Sequence, residues 1–104
     1  MLLVGNNRST NDTAFLSEAI AVDDVTTTTL RAATTNENER IYFSITVLGR
    51  SIWLKFQAAS VDDDKIGIFV PRDGYYEMPI NNIYTGEISA ICDNGTANVY
   101  VTEY

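Results

Sequence analysis

The sequence predicts an all-β chain: a single small antiparallel β-sandwich or barrel of about 6–8 strands with an extended N-terminal arm. Three observations carry this. Apolar and polar residues alternate with a period of two over Arg40–Phe56 and again over Thr96–Glu103. Turn-forming residues recur about every 8–12 positions. No convincing helix is encoded. With 104 residues the chain is one domain by default.

Residues 1–25 are read as the arm and 26–104 as the sandwich. Asn6 through Thr13 are polar and aperiodic. Ala14–Val22 is a short mixed segment, in which Ala14, Phe15, Leu16, Ala19 and Ile20 suit a helical turn or two. Thr26–Leu30 is β-branched and therefore extended. Ala32–Glu39 is a polar turn. In the strand from Arg40, residues Ile41, Phe43, Ile45 and Val47 point one way, and Tyr42, Ser44 and Thr46 the other. Gly49-Arg50 is a short turn into Ile52–Phe56, and the two strands read as a hairpin. Ala58–Lys65 is an acidic loop, and Ile66–Val70 is the next strand. Pro71-Arg72-Asp73-Gly74 is a turn, because proline presets φ and glycine tolerates a left-handed backbone. Tyr75–Met78 follows, stopped by Pro79. Glu87–Ile91 is a strand, Asp93-Asn94-Gly95 reads as a hairpin turn, and Thr96–Glu103 is the last strand, with Ala97, Val99 and Val101 on one face.

Composition excludes several chemistries. The chain has no histidine, hence no imidazole base, Ser-His-Asp triad or histidine metal ligand. It has one cysteine, Cys92, hence no intrachain disulfide and no cysteine-rich zinc site. Fourteen acidic residues against seven basic ones give a net charge of −7, which argues against binding a phosphate backbone. Met1-Leu2-Leu3-Val4-Gly5 lacks the basic region and apolar length of a signal peptide, and no run approaches a membrane span. Folding in a cytoplasm is expected, and the single thiol fits it. Asn7-Arg8-Ser9, Asn11-Asp12-Thr13 and Asn94-Gly95-Thr96 match the glycosylation triplet but carry no weight in that compartment.

No residue pattern rises to an active site. Asp62-Asp63-Asp64 offers oxygen ligands, but side chains in an extended loop diverge and no calcium-loop spacing is present, so a solvated loop is expected. Cys92 has no histidine to activate it and is expected to pack. Glu77 and Glu87 are expected as separate strand-face charges rather than a glycosidase pair. No catalytic, cofactor-binding or metal-binding residue is assigned, and the protein is expected not to be an enzyme. Partner contacts are assigned to the apolar residues of the arm, Leu2, Leu3, Val4, Phe15, Leu16 and Ile20. The aromatics Trp53, Tyr42, Tyr75, Tyr76, Tyr84, Tyr100 and Tyr104 are numerous for this length and suit a protein–protein contact face, a sugar-binding platform, or packing under loops or against the arm; of these, Tyr42 and Trp53 are expected to share one outer face.

Several segments resemble one family. Pro71-x-x-Gly74-Tyr75-Tyr76-Glu77 is similar to a "PGGSYE" turn. Tyr84-Thr85-Gly86-Glu87-Ile88-Ser89-Ala90-Ile91 is similar to "YTGxIxAI", and Gly95–Tyr104 to a terminal "GTAxVxVTEY". Leu30-Arg31-Ala32-Ala33 through Arg40-Ile41 resembles "LLAANPNR", with Thr34–Asn38 in place of the Asn-Pro turn. Together, roughly over residues 26–104, these resemble small virion proteins of tailed bacteriophages. The resemblance implies a capsid decoration (cement) protein that binds the major capsid protein at the capsid surface, after assembly in the host cytoplasm. It also implies a homo-oligomer, a trimer by analogy with cement proteins at local three-fold positions. Neither a nucleic acid nor a membrane is expected as a partner, and no cofactor. The alternatives are a receptor- or carbohydrate-binding module of a tail or fibre, and a head–tail adaptor. The arm would lie along a neighbouring subunit or add a strand to its sheet.

Overall fold

Strands form where β-branched and aromatic residues alternate with polar ones, and eight of them account for the regular structure of this computed structural model, which describes residues 16–34 and 40–103, with only the backbone of Leu16. They are β1 (Leu16–Asp23), β2 (Thr28–Arg31), β3 (Phe43–Leu48), β4 (Ile52–Lys55), β5 (Ile68–Val70), β6 (Tyr75–Glu77), β7 (Ile88–Cys92) and β8 (Thr96–Glu103). Two antiparallel sheets of four stack into a sandwich. The first sheet has the order β1-β8-β3-β6 and the second β2-β7-β4-β5.

The pairing has a simple logic. β1 pairs with β8, β2 with β7, β3 with β6 and β4 with β5. The chain is thus one long hairpin bent at the β4–β5 connection and rolled up, with β8·β3 and β7·β4 closing the sheets. This is the eight-stranded jelly-roll arrangement. Every connection except β4–β5 crosses from one sheet to the other. Short connections (24–27, 49–51, 71–74 and 93–95) gather at one end, and longer ones, 56–67 and 78–87 among them, at the other.

The core lies between the sheets. Phe43, Ile45 and Val47 of β3 and Ala97, Val99 and Val101 of β8 face Ile52, Leu54, Ile88, Ala90 and Cys92 of the second sheet. Each fully buried Val, Leu, Ile or Phe side chain contributes about 1.5–3 kcal/mol. Cys92 is a buried free thiol, as its packing role required.

Three expectations are corrected. Leu16–Asp23, read as arm with helical turns, is an eight-residue strand, and its Val22 is fully buried. Alanines at 19 and 21 opposite Ile20 and Val22 blur the alternation, and β8 supplies a template eight residues long. β3 and β4 do not form a hairpin, and neither do β7 and β8, because each pair divides between the sheets. A tight turn reverses the chain but does not decide whether the flanking strands share a ladder or stack face to face; here their apolar faces meet across the core. Gly49 (φ 95°) and Gly95 (φ 88°) supply the left-handed backbone these two turns need. Lastly, Ile41, assigned to the inward face, precedes β3 and is exposed.

Candidate functional site

In an antiparallel pair, directly opposed residues project to the same side. The register therefore gives the outer face of the first sheet. One row across it is Ala19–Tyr100–Thr46–Tyr75, a second is Ser17–Thr102–Ser44–Glu77, and a third is Ala21–Asn98–Leu48. Tyr100, Tyr75 and Leu48 are exposed. The Tyr42 hydroxyl lies 3.1 Å from that of Tyr75 and extends the aromatic row beyond β3. A hydrogen bond to Ser44 favours the Tyr42 phenolate, but Tyr75, burial and Glu77 outweigh it and push the hydroxyl up to about 12. Among these positions only Glu77, in a marginal row, is charged, with Asp23 at the far end of β1. On a chain of net charge −7, this is a broad face of small, hydroxylated and aromatic side chains.

The outer face of the second sheet is covered. Trp53, Lys55, Ser89 and Ile91 point outward by register, yet Lys55, Ser89 and Ile91 are buried. The connection 56–67 straps across Lys55 and Ser89. The Lys55 ammonium donates to the Asp62 carboxylate (2.7 Å), the Asp62 carbonyl (3.3 Å) and Thr27 Oγ1 (3.4 Å). Asp63 Oδ1 accepts the Thr27 N–H (2.8 Å), Glu87 Oε2 accepts the Ala59 N–H (2.9 Å), and Ser89 Oγ donates to the Gln57 carbonyl (2.9 Å). The Lys55 ammonium and the Asp64 N–H hold the Asp62 carboxyl below its usual range, and the Ala59 N–H does the same for Glu87. Asp62 and Asp63 thus latch this loop, Asp63 and Asp64 remain exposed as a solvated loop would leave them, and the described residues contain no cluster suited to a metal.

A buried arginine locks the long-loop end. Arg40 donates from Nε to Glu103 (2.7 Å), from Nη1 to the carbonyls of Tyr84 (2.6 Å) and Gly86 (3.2 Å), and from Nη2 to the Ala32 carbonyl (3.1 Å). Beside it Arg31 donates from Nη1 to Glu18 (2.8 Å), tying β2 of one sheet to β1 of the other.

The partner-contact assignments fare unevenly. Leu2, Leu3, Val4 and Phe15 lie outside the described residues, and Leu16 begins β1. Ile20 is half-buried and packs against the core. Tyr42 and Trp53 do not share a face. Tyr42 is on the outside of the first sheet and Trp53 on that of the second, where its ring packs against Phe69 at a tilt of 60° with centroids 4.9 Å apart. The hairpin reading had placed β3 and β4 in one sheet, and their true separation puts these aromatics on opposite sides. Glu77 ends β6 of the first sheet, whereas Glu87 lies in the connection just before β7 of the second. Tyr75 and Tyr100 are among the aromatics the sequence offers for a contact face; Thr46 and Leu48 are not, although the alternation in β3 already puts Thr46 on an outward face. Only the register joins them into one surface. No protein-family model, curated protein or solved structure matches the chain.

Proposed function

We propose that this chain is a non-enzymatic structural protein of a tailed-bacteriophage virion: a decoration protein that sits on the capsid, binds major capsid subunits and stabilises the head. The observation that carries the reading is the open, nearly uncharged outer face of the first sheet. Docking a rigid, pre-formed sheet face costs little conformational entropy. Exposed tyrosines flanked by small residues supply contact area without stranding charges. Two further features support it. The jelly-roll arrangement is one used by viral capsid domains, although lectins and cupins share it. Three of the four segments that resemble phage virion proteins meet in one structural unit: Arg40, Tyr84, Gly86 and Glu103 all belong to the Arg40 lock. A trimer of the chain at a local three-fold position is the assembly this reading favours.

The test is co-sedimentation of the purified protein with expanded capsids of the same phage that lack it. Saturable binding that raises the capsid melting temperature is the expected result, because a ligand that binds only the assembled state stabilises it. Absence of binding would overturn the decoration role and transfer the weight to a tail, fibre or adaptor position.

A further inference from the structure

Cationic side chains on this protein are few, and most are committed. Arg31 and Arg40 are held by Glu18 and Glu103, Lys55 by Asp62, and Lys65 donates to the Asp93 carbonyl (2.8 Å). Arg50 and Arg72 have no ion pair among the described residues. Both line one open cavity of about 490 Å³ at the short-turn end, together with Ser51, Pro71, Asp93 and Asn94.

The walls of this cavity are fixed by hydrogen bonds between neighbouring turns. The Arg72 N–H donates to Ser51 Oγ (2.9 Å) and the Asp93 N–H to the Ser51 carbonyl (2.9 Å). The Gly74 N–H closes the Pro71 turn (2.9 Å), and the Gly95 N–H donates to Asp24 (3.0 Å). Arg50 lies over Gly95, where a Cβ would come 3.2 Å from its Nε. Asp93 is oriented by the Trp53 indole N–H, which donates to its Oδ1 (3.2 Å).

We propose that this cavity binds an acidic sugar, a ring carrying one carboxylate and neighbouring hydroxyls. Two arginines on one cavity suit a carboxylate, which a guanidinium grips with paired N–H donors. Asp93 and Asn94 line the same space and carry acceptor oxygens, which suit hydroxyl donors. A bare inorganic anion would satisfy the arginines but meet the Asp93 carboxylate. A neutral sugar would satisfy Asp93 and leave the arginines unpaired. A ligand with both groups satisfies every wall. The volume falls within the range of small-ligand sites, roughly 300–1,000 Å³. The site lies at the end of the sandwich, apart from the outer face of the first sheet, and does not depend on capsid attachment.

The experiment is a titration of the full chain, followed by amide NMR, with glucuronic acid, galacturonic acid and N-acetylneuraminic acid at millimolar concentration. Glucose, galactose and sodium sulfate are the controls. Saturable shifts confined to Arg50, Ser51, Arg72, Asp93 and Asn94 are expected with at least one acidic sugar. Arg50→Gln and Arg72→Gln, with unchanged melting temperatures, are each expected to weaken binding about tenfold or more, as loss of a charged hydrogen bond does. The proposal is overturned if none of the three acids moves these amides, if sulfate binds as well as the sugars, or if both variants bind like the parent chain.

Discussion

Arg40 is the residue on which the long-loop end depends. Its side chain is fully buried, and its contacts reach a carboxylate in β8 and carbonyls in two connections. Removing one member of a buried, hydrogen-bonded pair leaves the other members desolvated and unpaired, which costs far more than the pair contributes net. Arg40→Met is therefore expected to lower stability by about 3 kcal/mol, discounted for the partial exposure of Glu103. Urea unfolding reads this directly, and an unchanged midpoint would show that the contacts add nothing net. The role was hidden in the sequence, because Arg40 is separated from Tyr84 by 44 residues and from Glu103 by 63. A lone arginine before a strand reads as a surface charge until the fold brings those distant groups around it. The same holds for Lys55, which alternation places outward and the strap then covers.

Among the elements, β8 and β3 were legible to within a few residues, because one face of each is buried and one is wet, and that contrast writes itself as a period of two. β1 was not, because alanines occupy its outward positions and its inward face is short. Nor were the sheet memberships, which depend on pairings between strands as far apart as β1 and β8. The structure sharpens what truncation must do. Deleting residues 1–15 leaves all eight described strands in place and is expected to leave cooperative unfolding intact. Deleting residues 1–25 removes β1, uncovers the ladder of β8 and takes Val22 from the core, so loss of the cooperative transition is expected by circular dichroism. If the shorter chain still folds, β1 is dispensable. The strap 56–67 has its own pH dependence. Asp62 and Glu87 titrate lower in the folded chain than their ordinary values of 3.8 and 4.5. A depressed carboxylate contributes stability that is present above its unfolded pKa and is lost as pH falls through the folded one. Acidification below about pH 4 is thus expected to loosen the strap, with faster relative amide exchange at Ala59 and Asp64, whose N–H groups these carboxylates accept, while β8 stays protected. Uniform exchange across strap and core would show that the latch is not separate from global unfolding.

For the whole molecule, the two sides of the sandwich do different work. One sheet carries a strap fastened by buried charge and hydroxyl contacts; the other leaves its outer face open and almost free of charge. A net charge of −7 makes copies of the chain repel one another, so the uncharged face is where another molecule approaches at least electrostatic cost. Thr46 sits at its middle, exposed, between Tyr100 and Tyr75. Thr46→Arg changes nothing in the core, and an exposed substitution of this kind shifts stability by about 0.5 kcal/mol at most. It does place a desolvated, unpaired charge in the centre of any contact made there, and one such charge costs several kcal/mol of binding, on the order of a hundredfold or more in affinity. In the capsid sedimentation assay Thr46→Arg is expected to abolish saturation at concentrations where the parent chain saturates, with an unchanged melting temperature of the free protein. Trp53→Ala, on the strapped side, is expected to leave attachment intact. The reverse pattern, with attachment lost on changing Trp53 and kept on changing Thr46, would move the contact to the second sheet and leave the open face without a role in attachment.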